Sequence, residues 1–185
     1  MKQLICMLGM ALALNGTAQA QQASAPFTEH AYFGAGVALV DHPEGSNKTD
    51  LKLFGGYEFD KNLGVEAGVT RYRGRDYHYF TWPGGGNESY STKGFGAYVA
   101  AKYSLPIGER FAAYGKLGLA HSQRNFSDTT GWHGKETDNG VYGALGLQAT
   151  VTDNVALTLE WEHYGKEKNT GAKENQWSAG VKYSF

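Results

Sequence analysis

The chain has 185 residues, with 17 Lys and Arg against 18 Asp and Glu, a formal net charge of −1 and a mean hydropathy of −0.46. That length fits one domain. The balanced charge excludes the basic face of a general nucleic-acid binder, and an aromatic content of 14% excludes a disordered chain. No apolar run reaches the ~20 residues a membrane helix needs, which leaves a transmembrane β-barrel open, because its apolar residues alternate with polar ones.

The first twenty residues carry a positive start at Lys2, an apolar run from Leu4 to Leu14, and Ala18-Gln19-Ala20 as a small-x-small cleavage site. This is the pattern of a secretory signal peptide over residues 1–20, with the mature domain spanning 21–185. The single cysteine, Cys6, lies inside the leader. An exported domain built this way holds together without disulfides.

From His30 onward the signal is alternation with period two, which marks strands. The first stretch, His30 to Val40, sets Phe33, Ala35, Val37 and Leu39 against Tyr32, Gly34, Gly36 and Ala38. The second, Asp50 to Phe59, sets Leu51, Leu53, Tyr57 and Phe59 against Lys52, Phe54, Gly56 and Glu58. In the third, Leu63 to Arg73, Val65, Ala67 and Val69 oppose Glu66, Gly68 and Thr70. The fourth, Lys93 to Leu105, sets Ala97, Val99, Ala101 and Tyr103 against Tyr98, Lys102 and Ser104. In the fifth, Phe111 to Gln123, Leu117 and Leu119 alternate with Tyr114, Lys116 and Gly118.

The sixth, Gly140 to Val151, carries Val141, Leu145 and Leu147 against Tyr142, Gly146 and Gln148. In the seventh, Asn154 to Tyr164, Val155, Leu157, Leu159 and Trp161 oppose Thr158, Glu160 and Glu162. The chain ends with Trp177, Ala179, Val181, Tyr183 and Phe185 against Ser178, Gly180, Lys182 and Ser184. Each stretch is about the ~9–11 residues that a tilted strand needs to cross a bilayer. Eight is also an even number, as a closed antiparallel barrel requires.

The connections alternate in length. Residues 60–62, 106–110 and 152–153 are short turns, whereas 41–48, 76–91, 125–139 and 166–174 are long and polar. Short turns at one end and long loops at the other fit an outer-membrane barrel. One face is apolar with aromatic residues towards the strand ends, as at membrane interfaces. The other carries Lys52, Lys102, Lys116 and Lys182 together with Glu58, Glu66, Glu160 and Glu162. A lysine at the bilayer midplane costs ~2–4 kcal/mol, so the charged face belongs in the lumen and the apolar face in lipid.

The segments Tyr32-Phe33-Gly34-Ala35-Gly36, Phe54-Gly55-Gly56-Tyr57, Gly64-Val65-Glu66-Ala67-Gly68, Ala101-Lys102-Tyr103-Ser104-Leu105-Pro106-Ile107 and Val181-Lys182-Tyr183-Ser184-Phe185, in this order and spacing, resemble the transmembrane domain of the outer membrane protein A family. Small opacity-type surface barrels share the one-domain form. The resemblance implies an eight-stranded antiparallel transmembrane β-barrel with short periplasmic turns and long extracellular loops, monomeric and without a cofactor. It sets the barrel among outer membrane lipid and lipopolysaccharide. It also implies that Tyr183 and the terminal Phe185 form the signal read by the outer-membrane assembly machinery. The family's peptidoglycan-binding domain has no counterpart in these residues, so cell-wall anchoring is not transferred.

The resemblance further implies a charged gate. Glu66 and Lys102 match an acidic and a basic gate position, while Gln148 stands for a second carboxylate and Thr158 for an arginine. Glu160, Lys116 and Lys52 are available to compensate. An eight-stranded interior is just wide enough for side chains to fill, and buried charge survives when paired. The charges therefore read first as a polar core, further occluded by Tyr32, Tyr98, Tyr114 and Tyr142, and second as a narrow, gated ion path.

Two other functional readings concern the loops and catalysis. Tyr77, Tyr79, Phe80, Trp82 and Trp132 are candidate recognition residues for a host or surface ligand, since mobile aromatic loops build such surfaces. The alternative is that the third strand simply continues through Tyr77, Tyr79 and Phe80. A hydrolase needs a Ser with His in reach. His121-Ser122 is the best pair, but neighbours on a strand point to opposite faces, so no enzyme is expected. The six His show no metal-ligand spacing.

Overall fold

A computed structural model describes residues 29–40, 49–79, 88–128, 133–165 and 175–185. Eight strands are formed: β1 (His30–Val40), β2 (Thr49–Glu58), β3 (Leu63–Tyr79), β4 (Glu88–Pro106), β5 (Phe111–Asp128), β6 (His133–Thr150), β7 (Val155–Tyr164) and β8 (Asn175–Ser184). Each pairs antiparallel with its sequence neighbour, and β1 pairs with β8 to close the barrel. Closure leaves no free sheet edge around the barrel wall, where each strand is paired on both sides; only the upper ends of the β3–β4 and β5–β6 hairpins extend past their outer neighbours.

Alternation decides what faces where. Leu117 is 68% exposed and Lys52 only 1%. The same inversion holds all round: Phe33, Leu53, Val99, Leu145, Leu157 and Val181 point outwards, and Lys102, Lys116, Glu160 and Lys182 are buried inside. Exposing that much apolar surface to water would be strongly unfavourable, so the outer wall is built for lipid.

The interior is packed by a repeated device. Tyr32 lies opposite Gly56, Phe54 opposite Gly34, Tyr98 opposite Gly68 and Tyr114 opposite Gly146 in the strand registers. A Cβ on Gly34, Gly68 or Gly146 would stand within 2.7 Å of ring atoms of that opposite partner, and one on Gly56 at 2.5 Å from the Tyr32 hydroxyl oxygen. Each ring thus covers the bare backbone across from it, which fills a narrow lumen without widening the barrel.

Two of the three short turns are fastened in the same way. The Asp60 carboxylate accepts hydrogen bonds from the backbone N–H groups of Asn62 and Leu63 at 2.6 and 2.8 Å, a side-chain mimic of a backbone turn. Asn62 donates from Nδ2 to the Ser104 carbonyl at 2.7 Å while Ser104 N–H donates to the Asn62 carbonyl, also at 2.7 Å. Asn154 and Ser184 repeat this bracket, with both bonds at 2.8 Å. The middle turn instead uses Gly108 at φ 88°, a conformation that glycine adopts without strain.

The strands run further than alternation indicates at the long-loop end. β3 continues beyond Arg73 to Tyr79, and β4 begins at Glu88 rather than Lys93. A register shift between Tyr72 and Arg75 inserts one residue into β3. Such a bulge breaks the period-two pattern where the sequence signal stops. β5 and β6 likewise stay paired out to Ser127↔His133, because above Val141 both faces are polar and hydrophobicity no longer reports the ladder. Many residues expected in the second and third loops are therefore strand.

Candidate functional site

Inward-facing positions of β2, β3, β5 and β7 bring five charges into one line. Lys116 Nζ lies 2.5 Å from Glu66 Oε1 and 2.5 Å from Glu160 Oε1. Lys52 Nζ lies 2.5 Å from Glu160 Oε2 and 2.7 Å from Glu162 Oε1. The order Glu66–Lys116–Glu160–Lys52–Glu162 alternates in sign, with each lysine shared between two carboxylates. All five side chains are almost completely buried. Burying ions costs several kcal/mol each unless they are paired and hydrogen-bonded, and the surrounding hydroxyls complete that requirement.

Tyr32 donates to Glu66 at 2.8 Å and Tyr98 donates to the same carboxylate. Tyr114 donates to Glu160 at 2.7 Å. Glu162 accepts from Tyr142 at 2.8 Å, Tyr164 at 3.1 Å and Ser178. All six oxygens of the three carboxylates are thereby taken. The Tyr98 and Tyr142 rings stack with centroids 4.1 Å apart, and Tyr164 meets Tyr142 edge-on at 5.1 Å.

A second group sits nearer the short turns. Glu58 accepts from Lys102 at 2.9 Å and from Lys182 at 3.1 Å, and its other oxygen is 2.8 Å from His30 Nε2. The Tyr32 ring joins the two groups: Lys182 and Lys102 lie 4.7 and 5.0 Å from its centroid, a cation–π distance, while its hydroxyl reaches Glu66. Tyr114 does the same between Lys102 and Lys116, at 4.8 and 5.1 Å.

The lumen charges singled out from the sequence are thus divided between two groups. Glu66 and Lys102, matched to gate positions by resemblance, bind different partners: Glu66 pairs with Lys116, and Lys102 with Glu58. Gln148, opposite Thr158 in the register, lines a cavity of about 250 Å³ at the turn end with His30, Glu58 and Lys182. Tyr183 and Phe185 face outwards and cluster with Phe33, with ring centroids 5.4 to 5.9 Å apart. Tyr77 and Tyr79 belong to β3, in register with Tyr90 and Glu88. Phe80, Trp82 and Trp132 lie outside the described residues.

His30 and Tyr164 complete the lumen and were not anticipated, whereas Ser178 is buried on the charged face to which alternation assigns it. Tyr164 shares the parity of Glu160 and Glu162 on the same strand, so alternation alone could have found it. His121 and Ser122 stand on opposite faces: Ser122 is buried, whereas His121 Nδ1 is 2.7 Å from Asn139 Oδ1 on the outer wall.

A closed, lipid-facing barrel of eight strands with a charged core meets a family model described as "Outer membrane protein beta-barrel domain" over residues 8–185. The chain belongs to that family. It is 27% identical over 165 residues to outer membrane protein A of Klebsiella pneumoniae, covering 83% of this chain and 46% of that protein. It thus spans about half the length of the curated relatives it matches. Among solved structures it resembles Ail of Yersinia pestis in complex with the heparin analogue sucrose octasulfate, with TM-score 0.57, 20% identity, and coverage of 87% and 100% of the two chains. The N-terminal β-barrel domain of Pseudomonas aeruginosa OprF gives TM-score 0.58 at 17% identity, with coverage of 84% and 97%. At such identities the structural likeness speaks for the fold. As an outer membrane barrel, the protein crosses the membrane eight times, with the short-turn end in the periplasm and the end of the extended β3–β4 and β5–β6 hairpins outside.

Proposed function

We propose that this outer membrane barrel is a structural surface protein whose lumen is shut by its own ion pairs and conducts, at most, weakly through a gate. The alternating chain from Glu66 to Glu162 carries this reading, because every carboxylate oxygen in it is already occupied. Opening a path requires exchanging partners inside a low-dielectric core, where an unpaired charge is costly. Glu66, Lys116, Glu160, Lys52 and Glu162 form the closed centre of this proposed gate. Glu58, Lys102 and Lys182 flank it at the periplasmic mouth. Tyr183 and Phe185 serve as the assembly signal.

Single-channel recording of refolded protein in a planar bilayer tests the proposal, after a gel shift between boiled and unboiled samples has shown folding. Wild-type protein should give no steady current, and a sustained porin-like current would overturn the reading. Current appearing on Glu66→Ala makes the network a gate. Silence from the folded variant leaves it a polar core.

Recognition through the extracellular loops is the second reading. It is supported by the β3–β4 and β5–β6 hairpins, which continue well past the apolar wall, and by the sulfated ligand bound to the similarly folded Ail. Deleting 77–82 should then abolish attachment to a partner surface while the barrel stays folded, and unchanged attachment would sink the idea.

A further inference from the structure

The outer wall is not uniformly apolar. On the sheet formed by β3 to β6, the last wholly apolar row is Ala67, Val99, Leu119 and Val141. Above it the register places His121 beside Asn139, then Phe95 between Arg71 and Gln123, then Asn125 between Lys93 and Lys135. Arg71, Lys93 and Lys135 occupy the outward positions of their strands and are exposed. None of the three has an ion-pair partner among the described residues. Glu136, the acidic neighbour of Lys135, stands at an inward position of β6 and is already engaged.

The other half of the wall differs. At the same end, β1, β2, β7 and β8 present Leu39, Leu51, Trp161, Trp177, His163 and Asn175. Arg71 and Lys93 are diagonal neighbours, roughly 7–8 Å apart at Cα, and Lys93 and Lys135 are two strands apart, roughly 10 Å. Lys93 lies two residues beyond Phe95, ~7 Å along the strand, above the last wholly apolar row. These cations project sideways from the barrel at that level, rather than upwards into the loops.

We propose that Arg71, Lys93 and Lys135, with Gln123 and Asn125 as hydrogen-bonding neighbours, form a lateral docking site for the phosphorylated headgroup of an outer-leaflet glycolipid. Three cations in one patch, without an ion-pair partner among the described residues, match an anionic headgroup. Arg71 and the lysines place their apolar stems against lipid and their charges at the interface. The amide side chains between them suit the hydroxyl-rich sugar that carries the phosphates. The site does not depend on whether the lumen conducts.

The test uses refolded barrel in neutral phospholipid nanodiscs, with bis-phosphorylated lipid A as probe and its dephosphorylated form in parallel. The triple variant Arg71→Gln/Lys93→Gln/Lys135→Gln is compared with Lys61→Gln/Arg110→Gln, which removes two exposed cations from the periplasmic turns. Folding of each is checked by heat-dependent gel mobility. Wild type should bind the phosphorylated probe about a hundredfold more tightly than the triple variant, at about fivefold per cation. The turn variant should match wild type, and added salt should erode the difference. Equal binding by wild type and triple variant overturns the proposal, as does equal binding of the dephosphorylated probe. Saturation by inorganic phosphate alone, at the affinity of the lipid, also overturns it, because the site would then read free anions.

Discussion

Tyr114 lies directly across from Gly146, and a methyl group there would come within 2.4 Å of the Tyr114 ring. The same ring carries the hydroxyl that donates to Glu160, so a single missing side chain sets the position of a hydrogen-bond donor in the charge network. Gly146→Ala must displace the ring or the strand. It should lower stability by about 1–3 kcal/mol, the usual cost of overpacking, as measured by urea unfolding in detergent or lipid. Gly143→Ala is the contrast: nothing lies within 4 Å of its Cβ position, and it should be neutral.

Lys116 holds two carboxylates together. Lys116→Ala leaves both Glu66 and Glu160 short of a cation in a buried site and should cost about 3–5 kcal/mol. Adding Glu66→Gln removes one of the two stranded charges, so the double variant should recover part of the loss. A double-mutant cycle read from unfolding midpoints checks this, and simple additivity would show that the ion pair is energetically idle.

How much of this was legible in the sequence differs by level. Strand count, inside and outside, and the turns around Asp60, Gly108 and Asp153 all follow from alternation and turn chemistry, because a one-residue error would put Lys116 in lipid. The upper ends of β3 and β4 did not follow, since the extra residue between Tyr72 and Arg75 resets the alternation. The partners of the lumen charges were not legible either. Lys52 and Glu160 are 108 residues apart, and each charge faces several opposite charges across the lumen. Only the side-chain arrangement shows that Glu66 takes Lys116 and not Lys102.

Asp60 gives a pH prediction. Its carboxyl is held below its ordinary value of 3.8 by the hydrogen bonds from Asn62 and Leu63. A group depressed in the folded state adds stability above its unfolded value, and that contribution disappears as pH falls through the folded one. The difference in stability between wild type and Asp60→Ala should therefore be full at neutral pH and shrink below about pH 3.8. A difference that stays constant down to pH 2 would assign the effect to the turn backbone instead.

The bracket made by Asn62 and Ser104 and its repeat at Asn154 and Ser184 should behave as independent units. Asn62→Ala and Asn154→Ala should each cost about 0.5–1.5 kcal/mol, the net worth of one hydrogen bond. The two losses should add, because they sit at separate hairpins. Equilibrium unfolding of the two single variants and the double variant reads this directly.

On the outer wall, Leu117→Lys should cost about 2–4 kcal/mol when the barrel is folded in lipid, even though position 117 is among the most exposed in the molecule. Stability that is unchanged on this substitution would argue that the wall does not meet hydrocarbon.

The two lumen groups also differ in sign. Three glutamates share two lysines in the middle of the barrel, whereas two lysines share Glu58 at the periplasmic mouth. Along the barrel axis this is a bipolar junction, with a surplus of negative charge stacked on a surplus of positive charge. A cation entering from the periplasm is repelled by the first layer, and an anion that passes it is repelled by the second. Ions of both signs meet a barrier before any side chain has to move.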